Sequence, residues 1–319
     1  MRWALLCAFA LSLIAGGCAP PVNTTPPPAD APAEEVALSG ASVIIGAGDI
    51  ARCESTGDDS TAAIVDSVLK ADSAAKVEDA VVAIGDLAYQ SGSKRDFIDC
   101  WNASWGDSTK RIMKWIHPAP GNHEYVSPGA APYFTYFGAR AGDPRKGYYA
   151  YDFGEWRVYA LNSEIPLNGR FGMEDRTAQE DWLRADLKDH PKKCTVAYLH
   201  RSLFSSGYHG DQTGMHGLYA IMYAGGVDLV LAGHDHNYER FAPMNPATML
   251  DTTAGLTQIV VGTGGAELRG FRSQLARNSR YRIQGRYGVV KLTLGAGAWR
   301  SAFIDARGSV WDRSGGTCH

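Results

Sequence analysis

Neither sign of charge predominates in this chain of 319 residues: 31 lysines and arginines stand against 34 aspartates and glutamates, a formal net charge of -3. That balance excludes a general affinity for nucleic acid or anionic lipid, so any partner must be chosen locally. Cysteine is sparse, six in all, and none falls in a CxxC or comparable spacing, which argues against a tight structural zinc cluster. No internal repeat of the kind that marks a solenoid is present. What is there is ordinary globular composition, 45% hydrophobic and 20% charged, enough for one large domain with terminal extensions.

The first stretch, MRWALLCAFALSLIAGGCAP, has one positive residue, Arg2, then a short apolar segment and small residues, and reads as a secretory signal rather than a membrane span. Gly16-Gly17-Cys18 resembles a bacterial lipobox, in which the cysteine becomes the lipidated first residue, with Ala15 in place of the usual Leu; ordinary cleavage without lipidation is the alternative. PPVNTTPPPADAPAEE follows, rich in Pro and Ala without apolar periodicity, an extended tether. The chain therefore divides into a signal (1–18), a tether (19–40) and a domain (41–319). Cys7 leaves with the signal and Cys18 carries the lipid, so four cysteines remain, an even number suited to an oxidising compartment. Cys53 and Cys100 both follow site-forming strands, whereas Cys194 opens a strand and Cys318 is nearly terminal. The expected pairs are Cys53–Cys100 and Cys194–Cys318.

Apolar, β-branched-rich runs recur at 42–47, 79–84, 114–119, 156–161, 194–199, 227–232 and 257–261. Helical spacing lies between them, at Ile64, Val65, Val68 and Leu69, and again at Trp182, Leu183 and Leu187, where Thr177 with Glu180 makes a capping box. Strands alternating with helices predict an α/β fold. Three closely spaced strands at 288–294, 299–305 and 309–314 predict a meander extending a second sheet, and hence a four-layer sandwich of two mixed sheets flanked by helices.

Five polar motifs sit just after apolar runs: GDIA at 48–51, GDLAY at 85–89, GNHE at 121–124, His200, and GHDH at 233–236. Strand carboxyl ends are where an α/β sheet builds its site. The motifs supply Asp49, Asp86, Tyr89, Asn122, His200, His234 and His236, a donor set for two metal ions that share one carboxylate. In an extended segment residues i and i+2 point the same way, so His234 and His236 approach adjacent metals while Asp235 points away.

These motifs, over residues 48–240, resemble those of the calcineurin-like metallophosphoesterases. Asp49-Ile50-Ala51 lacks the His of the usual Asp-x-His, and Gly85-Asp86-Leu87-Ala88-Tyr89 is similar to the GDxxY of purple acid phosphatases, as His236-Asn237-Tyr238-Glu239-Arg240 is to the HxYER of that branch. The resemblance implies a ferric site of Asp49, Asp86, Tyr89 and His236, and a divalent site of Asp86, Asn122, His200 and His234 for Zn(II), Fe(II) or Mn(II). It implies hydrolysis of phosphate monoesters by a metal-bound hydroxide, with a phosphate ester as partner and no specific nucleic-acid binding. By the same resemblance, His123 protonates the leaving oxygen or binds the transition state, and His209 contacts substrate; the next position, often another His, is Gly210, and Ala197 replaces the Val of the VxxH motif. A phosphodiesterase or nucleotidase on the same site is the rival, and a non-catalytic metal- or phosphate-binding lipoprotein the rival from another class.

His117, His190, His216 and His319 have no motif context and read as structural or surface residues. Residues 269–286 hold six arginines and no acid, either a solvated basic loop or a rim that attracts polyanions. The lipobox reading predicts that Cys18→Ala abolishes incorporation of a labelled fatty acid in cells; unchanged incorporation contradicts it.

Overall fold

The structure is a computed structural model that describes Leu38, residues 41–165 and residues 176–319. The expected signal, Cys18 and the tether apart from Leu38 lie outside the described residues. Two mixed sheets form the body. The first runs in the order β13 (Val310–Thr317), β12 (Ala298–Asp305), β11 (Gly288–Gly295), β1 (Ser42–Ala47), β2 (Asp79–Ile84), β3 (Ile116–Ala119). The second runs β10 (Ser279–Ile283), β8 (Tyr238–Phe241), β9 (Thr257–Val261), β7 (Leu229–Ala232), β6 (Cys194–Leu199), β5 (Trp156–Ala160), β4 (Tyr149–Phe153).

Strand periodicity explains how the layers stack. On the second sheet Val158, Val196, Tyr198 and Leu229 belong to the large core shared with the first sheet. Their neighbours Tyr159, Ala197, Leu199 and Val230 point to the other face and pack in a second core with Leu183, Leu218 and Met222. Those three sit on two helices, Arg176–Asp189 and His216–Ala224, which cover that sheet. On the first sheet the helix Gly57–Ala75 buries Ala62, Val65 and Leu69, one face at helical spacing. Asp58 and Asp59 in its first turn suit the positive end of the helix dipole, and Lys76 in the left-handed region ends it. The expected four-layer α/β sandwich is the observed one.

The C-terminal meander departs from expectation. It completes the first sheet instead of extending the second, because β11 pairs antiparallel with the side of β1 that β2 leaves free, Ser42 opposite Leu294 and Gly46 opposite Val290. A strand edge in a core needs its N–H and C=O groups paired, and β11 supplies them. The second sheet closes its own edges with β4 and β10, whose mostly half-buried or exposed residues hide them from an apolar-run search. Residues 112–115 form a helical turn, so the strand expected over 114–119 starts only at Ile116. Thr177 lies inside its helix, so it is no N-cap.

Both expected disulfides are present, Cys53–Cys100 and Cys194–Cys318. The second closes 124 residues and ties the chain end to β6, a constraint of about 2–5 kcal/mol on the unfolded ensemble.

His117, on β3, stacks on Tyr151 with ring centroids 4.1 Å apart. Burial, with Arg140 nearby, lowers its pKa to about 4. The folded state thus binds this proton less readily than the unfolded one, and stability present above pH 6.5 is lost as the pH falls toward 4. His117→Phe, which keeps the stack, is expected to remove about 1–2 kcal/mol of the stability lost between pH 7 and pH 5, read from urea unfolding at both values; equal losses in variant and parent would contradict it.

Candidate metal centre

The carboxyl ends of β1, β2, β3, β6 and β7 lie along one edge, and each is followed by its motif. Asp49 follows β1, Asp86 follows β2, Asn122 follows β3, His200 follows β6, and His234 and His236 follow β7. Backbone hydrogen bonds lock these ends together: Asp49 N–H donates to Gly85 O (3.0 Å), Ile50 N–H to Asp86 O (2.9 Å), Gly48 N–H to Val261 O (3.0 Å) and Gly233 N–H to His200 O (2.9 Å). Asp49, Asp86 and His234 have φ of 59°, 51° and 70°. Such left-handed residues cost about 1–2 kcal/mol each and turn the side chains inward at sharp corners.

Six of the seven expected donors converge, Asp49, Asp86, Tyr89, His200, His234 and His236. The Tyr89 hydroxyl lies 3.0 Å from Asp49 Oδ1, 3.4 Å from Asp86 Oδ2 and 3.3 Å from His236 Nε2. His236 Nε2 is also 3.1 Å from Asp49 Oδ1. On the other side His200 Nε2 is 3.1 Å from Asp86 Oδ2 and 3.2 Å from His234 Nδ1. Asp86, His200 and His234 each offer one donor atom, all within 4.8 Å of one another. Asp86 Oδ2 is therefore common to two groups of donors, as the shared carboxylate of a metal pair has to be.

The donors suit a cation chemically. Asn122 Oδ1 is buried with no hydrogen-bond partner, an orphan acceptor that an ion would satisfy. His200 Nδ1 faces Ile84 O at 3.1 Å and His236 Nδ1 faces Glu267 O at 2.5 Å. A carbonyl only accepts, so both rings carry their proton on Nδ1 and turn a free Nε2 inward, the usual arrangement behind a ligating histidine. One contact does not suit it: Arg201 Nη1 lies 2.9 Å from His234 Nε2, and a guanidinium only donates. Ligation through Nδ1 needs the proton on Nε2, so Arg201 has to withdraw when a cation binds.

Electrostatics point the same way. Burial opposes charge on every group, yet His200 holds the Asp86 carboxyl below the usual range, and Asp86 with Asp49 raises His200 to about 10. Burial, then Asp49 and Asp86, push the Tyr89 hydroxyl well above its ordinary value. Without a cation, the carboxylates are balanced by a protonated imidazole and the phenol keeps its proton; a bound metal inverts both preferences.

With this geometry in view, the sequence profile of the calcineurin-like phosphoesterases matches residues 43–238, more than half of the chain. The chain belongs to that family. Its curated relatives include acid phosphatases and purple acid phosphatases. Acid phosphatase type 7 of Homo sapiens is 28% identical over 242 residues, covering 63% of this chain and 51% of that protein. Probable inactive purple acid phosphatase 1 of Arabidopsis thaliana is 27% identical over 254 residues, 68% of this chain and 39% of that one. The chain thus spans about half the length, or less, of the curated relatives it matches. Purple acid phosphatase PPD1 from yellow lupin (Lupinus luteus) seeds has the same fold, with TM-score 0.71 at 22% identity over 87% of this chain and 54% of that one.

Two further histidines, His123 and His209, border the cluster. His123 Nδ1 faces Gln90 O at 2.5 Å, which turns Nε2 to within 3.8 Å of Asp86 Oδ2. The His209 ring lies against His234, centroids 4.0 Å apart, with its Nε2 accepting from Arg269 Nη1 at 3.0 Å. Asp235 points away as expected and has a task there: its Oδ2 accepts from the Ser205 hydroxyl (2.5 Å) and its Oδ1 from His209 N–H (2.9 Å), holding the His209 loop. His319 pairs with Asp228, while His190 and His216 are exposed, the bland roles expected.

Sequence reasoning gave no role to two residues, Arg201 and Glu124. Arg201, next to His200, is held by Glu164 through a 2.8 Å bond from Nε. Glu124, last residue of GNHE, is fully buried and accepts four backbone N–H groups: Leu87 (2.8 Å) and Ala88 (3.4 Å) on Oε1, Asp86 (2.9 Å) and Gly121 (2.8 Å) on Oε2. It binds the β2 and β3 loops to each other. Gly121 must be glycine here, since a Cβ would overlap Asp86 Oδ1 and its backbone N. Its motif position was the available signal, with no partner to interpret it. Glu124→Gln sets an NH2 against N–H donors and is expected to cost about 2–3 kcal/mol and to weaken metal retention. Thermal unfolding of metal-free protein, with metal content after dialysis, checks this; unchanged values in both would contradict it.

Proposed function

We propose that this chain is an exported phosphatase that hydrolyses phosphate monoesters with two metal ions, one held by Asp49, Asp86, Tyr89 and His236, the other by Asp86, Asn122, His200 and His234. The observation that carries the reading is Asp86 Oδ2, which both donor groups approach within 3.1–3.4 Å. The oxygen-rich first group suits Fe(III), and the second, richer in imidazole, suits Zn(II), Fe(II) or Mn(II). When bound, the cations supply polarisation of phosphoryl oxygens and a hydroxide nucleophile near neutral pH.

The remaining work falls to the chain. His123, half-buried with Nε2 toward the cluster, is placed to donate a proton to a departing oxygen in its imidazolium form. His209, whose Nε2 is taken by Arg269, carries its proton on Nδ1 when neutral and donates from there. Burial, with Arg269 and Arg201 near it, lowers its pKa and favours that neutral ring, against the opposing pull of Asp235. Asn122, positioned by the loop that Glu124 ties down, orients substrate by fixing its cation.

Export, and anchoring by lipid at Cys18 through the tether, belong to the same proposal; the two disulfides support an oxidising compartment, and no helix among the described residues is long and apolar enough to cross a membrane. Inactivity in the name of a relative makes a non-catalytic metal-binding protein the competing reading.

The decisive experiment measures turnover of aryl and alkyl monoesters together with iron and zinc content and visible colour. Asn122→Ala and His123→Ala are expected to lower kcat about a hundredfold or more, and Tyr89→Phe to abolish a phenolate-to-iron absorption band. Unchanged turnover in both of the first two variants overturns the catalytic assignment, and a colourless two-zinc protein overturns the iron assignment alone.

A further inference from the structure

Behind the first donor group runs the loop 262–267, which leaves β9. Its backbone holds two of the donors. Gly264 N–H donates to Gly48 O (2.9 Å), Ala266 N–H donates to Asp49 O (2.9 Å), and Glu267 O accepts from His236 Nδ1 (2.5 Å). The approach is close: a Cβ at Gly262 would lie 2.2 Å from Asp235 O and 2.7 Å from Asp49 Oδ2. Where this loop is seated therefore decides how Asp49 turns its corner and how the His236 ring is aimed.

The start of the helix Gly57–Ala75 supplies that seating. The Thr61 hydroxyl, fully buried, donates to Gly264 O at 2.5 Å and accepts from Trp105 Nε1–H at 3.0 Å. The indole takes one side of the oxygen and leaves its single proton for Gly264 O; the helix's own Asp58 O is farther, at 3.1 Å. One residue on, the half-buried Ser55 Oγ donates to Gly265 O at 2.6 Å. Gly265 itself rests on the helix, since a Cβ there would lie 2.4 Å from Asp58 N.

We infer that Thr61, supported by Ser55, is a positioning residue for the first donor group: through the carbonyls of Gly264 and Gly265 it seats the loop that holds Asp49 and His236 against Tyr89. This rests on the two-metal reading above and adds to it residues that touch neither cation nor substrate. Removing the Thr61 hydroxyl leaves a buried carbonyl and a buried indole N–H without partners, and they find relief only if the loop moves. The partner that backs a histidine ligand sets its ring orientation and its basicity, so that movement reaches His236 Nε2 directly. His200, in the second group, takes its backing from Ile84 O instead, outside the loop. The two metals therefore respond unequally, whereas a general loss of stability weakens both alike.

The test measures retention of each metal against a graded chelator, the visible band of the iron-loaded protein and, in metal-free protein, exchange of the His236 Nδ1 proton with water by NMR. Thr61→Val, which keeps the shape and deletes the hydroxyl, is expected to weaken the metal held by Asp49, Tyr89 and His236 about tenfold more than the other, to shift the band and to speed the proton exchange. Thr61→Ser, which returns the hydroxyl, restores all three. Ser55→Ala acts in the same direction and less, and decides the matter if Thr61→Val does not fold. Val65→Ala, one turn along the same helix with its side chain in the core, is the control expected to lower thermal stability and to move none of the three. Equal weakening of both metals, or proton exchange no faster than in Val65→Ala, overturns the positioning role. If the parent protein retains no metal, the two-metal reading fails separately, and the proton exchange still decides whether Thr61 seats the loop behind His236.

Discussion

The buried carboxylate of Glu124 is the interaction on which the site depends. It gathers N–H groups from Asp86, Leu87, Ala88 and Gly121, and so fixes the loops that leave β2 and β3 at one mutual position. Asp86 is thereby held at a left-handed corner with its Oδ1 accepting from His123 N–H at 2.8 Å and its Oδ2 free to face both donor groups. Three such corners, at Asp49, Asp86 and His234, would relax if unsupported. They persist because strand-end hydrogen bonds surround them on both sheets, including the bond from His234 N–H to Asp49 Oδ2 at 2.8 Å. The two sheets and their core act as the frame that sustains local strain at the site.

Charge is laid out in layers around that frame. Innermost are Asp49, Asp86 and the Tyr89 hydroxyl, buried oxygens held together in the absence of a cation by the phenol's proton and a protonated imidazole. Around them stand the imidazoles of His200, His234, His236 and His123, each with one nitrogen inward. Outside the imidazoles come Arg201, Arg269 and Arg272. An anion approaching the centre therefore meets positive charge first and, beneath it, the donors for metal ions of the same sign. This order suits a phosphoester, whose own charge lies on peripheral oxygens while its phosphorus accepts electrons.

Much of this was legible along the chain. An apolar, β-branched-rich run followed by a small polar turn marks a buried strand and its exit, and five such exits put Asp49, Asp86, Asn122, His200 and His234 just beyond strand ends. Tyr89 was legible only against Ala51, because the missing imidazole in one motif and the added phenol in another are complementary. The half-buried edge strands β4 and β10 were not legible, since edge positions tolerate polar residues on both faces. Neither was the sheet to which the meander belongs. Pairing of β11 with β1 joins residues some 250 positions apart, and nothing in either segment names its partner.

Sequence by itself determined the fold class, the donor types and the order in which they appear, because strand periodicity, turn chemistry and the identity of a ligand atom are all local properties. Tertiary structure alone decided which donors share Asp86 Oδ2, that Glu124 is a brace and not a ligand, and which two of six clustered arginines turn onto the site. Those outcomes depend on distances between segments far apart in the chain, and such distances are set by the packing of two sheets whose edges carry no address in their sequence. The five motifs could say what would meet; only the packed core could say at which atom.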